Sequence, residues 1–137
     1  MSGLPVKLAS ELGDGDAEPK WLIEGLWSDA AVGVLGGEPK CCKSFLALDA
    51  AVSVASGRPC LRAFAVRRTG SVLVFPAEDP HAVVRRRLDG IAAAAGMSLG
   101  DLPVHVITAA KVMLDSRDDR RRLEETVAEI KPVLLVL

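Results

Sequence analysis

The stretch GGEPKCCKSF, Gly36–Phe45, decides how this chain folds. An apolar run, AAVGVLG at 30–36, comes directly before it, and KSFLALDAAVSVASG at 43–57 follows, with apolar residues recurring on one helical face. A short apolar run that stops at glycines predicts a buried strand, and the pattern after it predicts a helix over 44–56 that stops at Gly57. A strand, a glycine-containing loop and a helix are therefore expected in immediate succession.

The loop between strand and helix, GEPKCCKS at 37–44, follows the phosphate-binding pattern G-x-x-x-x-G-K-[ST] at every fixed position except Cys42. Amide groups of such a loop and of the helix N-terminus point at phosphate oxygens. Lys43 is expected to reach the β- and γ-phosphates, and the Ser44 hydroxyl to hold Mg²⁺. Lys40 is expected either to touch phosphate or to face solvent. The candidate nucleotide-binding residues are Gly37, Glu38, Pro39, Lys40, Cys41, Cys42, Lys43, Ser44 and Phe45.

Cys42 stands where the pattern has its second glycine. If the backbone there needs a positive φ, a residue with a Cβ costs roughly 1–2 kcal/mol, which weakens nucleotide affinity about tenfold. If φ is negative, the cost is small. Two other interpretations stay open. One is a strand-to-helix turn with an incidental lysine and serine. The other is a metal or redox site at Cys41 and Cys42, although no C-x-x-C or histidine cluster accompanies them.

Strands alternate with helices along the rest of the chain. Further strands are predicted at 71–77, 103–108 and 132–137, and further helices at 79–96 and 116–130. Asp79 is the expected N-cap of the second helix, and Gly96 its expected stop. Apolar strands joined by helical crossovers form parallel sheets with helices on both faces. The sequence therefore predicts an α/β fold.

The bulk composition is that of an ordinary globular protein. The chain has 137 residues, half of them apolar, and a net charge of −1, which gives no general attraction to nucleic acid or membranes. Three cysteines cannot form a complete disulfide framework. Neither a signal peptide nor an apolar run of membrane-spanning length is recognised. These features favour a reducing, cytoplasmic location.

The N-terminal region divides into two parts. Residues 1–20 are polar and rich in small side chains and are expected to form a flexible arm, with the folded domain at 21–137. WLIEGLWSD at 21–29 is expected to pack on the core, with a base-stacking platform as the alternative. The basic runs at 85–87 and 118–122 are interpreted as solvated helix faces, with a DNA-contacting or subunit-contacting stripe as the minority interpretation.

Three stretches together resemble a known family: WLIEGLW at 21–27, GGEPKCCKSFLALDAAVSVASG at 36–57 and VLVFPAEDPHAVVRRRL at 72–88. They resemble the RecA-like P-loop ATPases of the RepA-type replicative helicase group, which are AAA-family ATPases. The resemblance runs from about residue 20 to residue 137. It implies a RecA-like core, binding of ATP with Mg²⁺, and assembly into homo-oligomeric rings on DNA. The family has an acidic residue after its second strand, and Glu78 matches that position. A carboxylate at the carboxyl end of a parallel strand faces the same crevice as the loop, and Glu78 is expected to orient or deprotonate the attacking water. The alternative is an ordinary acidic residue of the loop without a catalytic role.

The end of the sequence, PVLLVL at 132–137, resembles a particular strand of this family. In the family, the aspartate that holds magnesium comes directly after that strand. We therefore expect a partial RecA-like domain that, by itself, hydrolyses ATP very poorly. Three hypotheses remain for its function. The first is an ATPase domain of a DNA helicase or replication-associated motor. The second is a nucleotide-binding sensor or scaffold without turnover, and the third is a fragment that binds nothing.

Overall fold

A parallel three-stranded sheet lies at the centre of the computed structural model, which describes residues 3–13, 15, 18 and 20–137. The strands are β1 Trp21–Ile23, β2 Trp27–Ser28, β3 Val72–Val74, β4 Val104–Val106 and β5 Leu134–Val136. The α-helices are α1 Lys43–Ser56, α2 His81–Ala94 and α3 Arg117–Ile130, and short 3-10 turns occupy Ala9–Glu11 and Leu99–Asp101. None of the helices within these described ranges is long and apolar enough to cross a membrane.

The sheet has β3 in the middle, with the order β4-β3-β5 and both pairings parallel. Val72 lies opposite Val104 on one side and Leu134 on the other. All three residues of β3 are buried, as expected for the central strand of a sheet that is covered on two faces. The predicted α/β fold with a parallel sheet is confirmed.

Helices lie on both faces of this sheet. The connection from β3 through α2 to β4 and the connection from β4 through α3 to β5 cross the sheet in opposite directions. Because such crossovers are right-handed, α2 and α3 fall on opposite faces. Helix α1 contacts both α2 and the sheet, so it shares the face of α2. Val72 and Val74 join the core on that face, whereas Leu73 points to the other face.

The N-terminal lead-in is part of the core. Strands β1 and β2 form an antiparallel hairpin, in which Leu22 and Ile23 are buried with the residues of α1 and α2. Backbone bonds fix the hairpin to the segment before β3: Glu24 N donates to Ala65 O at 2.8 Å, and Arg67 N donates to Leu22 O at 2.8 Å. The expectation that this stretch packs on the core is confirmed.

Two of the predicted helix ends are confirmed and one is wrong. Gly57 and Gly96 follow α1 and α2 with φ of 78° and 72°, the left-handed conformation that ends helices. Asp79 is not the N-cap of α2, because Pro80 occupies that position and the helix has no side-chain cap. The Asp79 carboxylate instead accepts a hydrogen bond from Arg87 Nη1 at 2.8 Å.

The predicted strand at 30–36 is also wrong. This segment joins no sheet within the described residues, and Val32 and Val34 are 102% and 92% exposed. A strand forms only where a neighbouring strand satisfies its backbone N–H and C=O groups, and none lies beside this segment in the described part of the chain. Within this segment Gly33 lies against Trp27, whose ring would lie 2.6 Å from a Cβ placed on Gly33.

Candidate functional site

The loop predicted to bind phosphate leads directly into α1, which begins at Lys43. A turn closes its first half, where Cys41 N donates to Glu38 O at 3.3 Å. Two of its residues, Lys40 and Cys42, have left-handed backbone with φ of 62° and 66°. The loop is exposed, so its backbone and side chains are open to a ligand.

The ammonium group of Lys43 is folded back over this loop. Lys43 Nζ donates to Gly37 O at 2.9 Å and to Glu38 O at 2.8 Å, and lies 3.7 Å from Cys41 Sγ. Gly37 permits this arrangement, since a Cβ on it would lie 2.6 Å from Cys41 Sγ and 3.6 Å from Lys43 Cδ. The cation is thus held above the loop by two carbonyl groups that an anion can replace.

The N-terminus of α1 adds backbone donors beside that cation. The first backbone bond of the helix runs from Leu46 N to Cys42 O at 3.0 Å. The amides of Lys43, Ser44 and Phe45 therefore have no acceptor within the helix, and the helix dipole places partial positive charge at the same end. A loop cation and free first-turn amides together form a site suited to phosphate.

Ser44 fits the role of a magnesium ligand. It is exposed in the first turn of α1, beside Lys43. No group of three or more His, Cys, Asp or Glu side chains able to hold a metal comes together in the part of the chain that the structure describes. A Mg²⁺ ion at Ser44 would accordingly take most of its ligands from phosphate and water, which is its usual preference.

A chain of three side chains connects α1 with the end of β3. The Arg87 guanidinium lies 4.8 Å from the centre of the Phe45 ring, and the same group pairs with Asp79 at 2.8 Å. Phe45 directly follows Ser44, and Asp79 directly follows Glu78. The arrangement ties the segment that carries Glu78 to the first turn of α1. Glu78 itself is exposed.

Sequence reasoning missed Arg87. It belongs to the basic run at 85–87, which we interpreted as a solvated helix face. Arg85 and Arg86 are exposed as expected, but the Arg87 side chain is only 27% exposed. The sequence contains no signal for this difference, because the contact with Phe45 joins residues on two different helices.

Cys60 is set apart from the two loop cysteines. It is fully buried, and its Sγ donates to Asp49 Oδ2 at 3.3 Å. Burial is the main cause that raises the pKa of Cys60 to about 12. The hydrogen bond to Asp49 and the negative charge of Asp49 raise it further in the same direction. Cys60 is therefore a neutral core thiol, whereas Cys41 and Cys42 are exposed and free.

The positive φ of Cys42 decides between the two costs considered for this residue. At φ of 66° the Cβ of Cys42 strains the loop by roughly 1–2 kcal/mol, so the larger of the two costs applies. Glycine removes the strain, but its greater backbone freedom favours the unfolded chain by roughly 0.4–1 kcal/mol.

Cys42→Gly is consequently expected to raise the free energy of unfolding by up to about 1 kcal/mol. Urea denaturation of the nucleotide-free chain measures the change. Cys42→Ala is the matched control, because it also removes the sulfur but keeps the Cβ that causes the strain. Equal stabilisation by alanine and glycine would show that the backbone conformation is not the cause.

Comparison with known proteins adds one finding. The sequence profile of a family described as AAA domain matches residues 4–137. No significant match was found among curated proteins or among solved structures. The matched range contains the whole loop, α1, the parallel sheet and Glu78. The chain belongs to this AAA domain family, a family of nucleotide-binding P-loop ATPase domains.

Proposed function

We propose that this chain is a Mg²⁺-dependent, ATP-binding RecA-like ATPase domain of a DNA helicase or replication-associated motor, and that by itself it hydrolyses ATP very slowly. The observation that carries the proposal is the position of Lys43. Its ammonium group lies over the loop carbonyls of Gly37 and Glu38, beside the unpaired amides at the start of α1. The membership of the AAA domain family supports nucleotide binding by this loop.

Each loop residue has a role in this proposal. Lys43 exchanges its two carbonyl partners for β- and γ-phosphate oxygens, and the backbone N–H groups of the loop and of the first turn of α1 that make no hydrogen bond within the chain donate to the phosphates. The Ser44 hydroxyl ligates Mg²⁺, which when bound neutralises phosphate charge. Lys40 extends from the same exposed loop and supplies a second cation.

Glu78 acts on the attacking water. The carboxyl ends of parallel strands open toward a bound ligand at the edge of an α/β sheet, and Glu78 follows β3 at that end. The contacts of Arg87 with Asp79 and Phe45 hold the two segments together. A carboxylate in this position accepts a hydrogen bond from water and orients it toward the γ-phosphate.

The biological setting in the proposal rests on the resemblance to RepA-type replicative helicases. By that resemblance the whole protein acts on DNA as a homo-oligomeric ring, with an N-terminal arm at 1–20 and the motor domain starting at residue 21. A cytoplasmic location is included, because two exposed free cysteines in the nucleotide loop suit a reducing compartment.

A second candidate function is a nucleotide-binding sensor or scaffold that does not hydrolyse ATP. The side chain of Cys42 favours it. This residue places a Cβ and a sulfur at the loop position where the motif has glycine, directly before the first-turn amides. A bulkier loop can still hold phosphate while misplacing the γ-phosphate for attack, because small displacements of reacting groups slow chemistry strongly.

Glu78→Gln separates the two candidates. We expect the variant to keep the increase in melting temperature caused by Mg·ATP and to lose about 10²-fold or more of its hydrolysis rate, since amide nitrogen and oxygen cannot accept the proton. Hydrolysis is measured under single-turnover conditions with the chain in excess over labelled ATP, with and without single-stranded DNA. Glu124→Gln, an exposed position on α3, is the control.

The outcomes differ clearly between the candidates. Hydrolysis that depends on Glu78 and increases with DNA supports the motor. Stabilisation by Mg·ATP without any hydrolysis supports the sensor. Hydrolysis that is unchanged in Glu78→Gln would remove Glu78 from the mechanism.

A further inference from the structure

A cleft of about 810 Å³ lies between α1 and α2, and residues of the connection 58–62 also line it. Its floor is mainly apolar, with Val52 of α1 and Ile91 and Ala94 of α2 among its lining residues. Each of the two helices has 14 residues, so the cleft runs beside helices about 21 Å long. These dimensions suit a helical segment and exceed what a small ion requires.

The rim of the cleft is cationic. Arg58, Arg62 and Arg86 line it, and none of them forms an ion pair within the described residues, whereas Arg67, Arg68, Arg85 and Arg87 all do. The one acidic residue in the lining, Asp49, is already engaged. Its Oδ2 accepts hydrogen bonds from Leu61 N at 2.8 Å and from Cys60 Sγ at 3.3 Å.

A strained turn presents two side chains at this rim. Leu61 and Arg62 are consecutive residues with φ of 51° and 57°, and Ala63 N donates to Cys60 O at 3.0 Å across them. These are features of a type I′ turn, in which asparagine and glycine are the preferred central residues. Leucine and arginine are unfavourable there because of their Cβ atoms. Strain of this kind is concentrated at functional sites.

We propose that the cleft between α1 and α2 is a docking site for an acidic amphipathic helix of a partner protein. The apolar floor accepts the apolar face of such a helix, which is a common mode of helix recognition in grooves. Arg58, Arg62 and Arg86 complement acidic residues on its flanks and fix its orientation. Leu61, half exposed on the turn, adds an apolar contact at the end of the groove.

A nucleic acid fits the cleft less well. Single strands are held by aromatic platforms on which bases stack. Phe45 is the one aromatic side chain that lines the cleft, and the guanidinium of Arg87 already covers its ring at 4.8 Å. The cleft adjoins the nucleotide loop at Phe45 but is not lined by Lys43 or Ser44.

The test uses a fluorescent peptide of glutamate, leucine and alanine, about four helical turns long, with leucine on one face. A peptide of the same composition in scrambled order and a labelled oligothymidylate are measured in parallel by anisotropy. We expect the amphipathic peptide to bind the full chain and the scrambled peptide to bind at least about tenfold more weakly, since it has no continuous apolar face.

Three variants locate the binding. Arg86→Glu is expected to weaken peptide binding at least about tenfold, while Arg85→Glu makes the same charge change on the same helix outside the cleft and is expected to stay within about twofold. The double variant Leu61→Asn/Arg62→Gly has the residues that the turn prefers. It is expected to melt at a higher temperature than the original chain and yet to bind the peptide at least about tenfold more weakly.

Each contrary result overturns the proposal. One such result is that the peptide does not bind at concentrations up to about 1 mM. The others are an equal loss of peptide affinity in Arg85→Glu and Arg86→Glu, and unchanged peptide affinity in the double variant. Oligothymidylate binding that Arg86→Glu abolishes, with no peptide binding, would assign the cleft to nucleic acid instead. Lys43→Ala is expected to bind the peptide unchanged, so failure of nucleotide binding does not affect this test.

Discussion

Lys43→Ala is expected to abolish the stabilisation that Mg·ATP gives the chain. The Lys43 ammonium lies over the carbonyl groups of Gly37 and Glu38, to which it donates at 2.9 and 2.8 Å. Its removal leaves the phosphates facing carbonyl dipoles without a compensating positive charge. The first-turn amides of α1 remain, but amides alone provide only part of the electrostatic attraction that a triphosphate requires.

Thermal melting with and without Mg·ATP measures this effect. A ligand at about 100 times its dissociation constant adds about 2.7 kcal/mol, which corresponds to a rise of roughly 8–11 °C for a domain of this size. Each variant is compared with its own nucleotide-free sample, because Lys43→Ala also loses the contacts with the loop carbonyls. Lys20→Ala, an exposed lysine outside the loop, is the control and should keep the full rise.

The result has a direct interpretation. If Mg·ATP raises the melting temperature of Lys20→Ala but not of Lys43→Ala, the loop binds the nucleotide despite Cys42. A rise that both variants keep would place the nucleotide elsewhere. No rise in a chain that unfolds cooperatively would contradict nucleotide binding by this loop.

The second large effect is expected from Ile23→Ala. Ile23 is only 2% exposed and packs in the core although it lies before the first helix. Truncation of a buried isoleucine removes apolar contacts and leaves a cavity, which lowers the free energy of unfolding by about 2–5 kcal/mol. That is a large share of the roughly 5–15 kcal/mol that stabilises a typical domain.

Leu26→Ala is the matched control for Ile23→Ala. Leu26 lies in the same hairpin but is 38% exposed, so its truncation is expected to cost less than about 1 kcal/mol. Urea denaturation of the two variants beside the original chain provides the comparison. Equal decreases in the free energy of unfolding for Ile23→Ala and Leu26→Ala would mean that the hairpin does not belong to the cooperative core.

Local sequence patterns were sufficient for the main elements. Val72–Val74 is apolar at every position, and glycines at 57 and 96 end the first two helices, because no other residue adopts a left-handed backbone without strain. Ser116 caps α3 by accepting a hydrogen bond from Asp119 N at 3.4 Å, three residues along the chain. These features depend on interactions within a few residues, which a pattern can represent.

The wrong predictions all involve groups that are distant in sequence. Asp79 was assigned as the cap of the helix next to it, but the partly exposed Arg87, two turns along that helix, provides a stronger partner. The segment 30–36 has the composition of a buried strand, yet composition does not provide the neighbouring strand that its backbone requires. The interpretation of Arg87 as solvated failed for the same reason, since its aromatic partner lies on α1.

The sequence by itself determined the α/β class and the order of the elements from α1 to β5, and it predicts phosphate binding by the loop before α1, because hydrophobic periodicity and motif spacing are local properties of the chain. The tertiary structure decided the rest. It set the left-handed backbone of Cys42, joined Asp79, Arg87 and Phe45, and formed the arginine-rimmed cleft between α1 and α2. These features arise from contacts between separate elements, whose geometry is fixed only when the elements pack together.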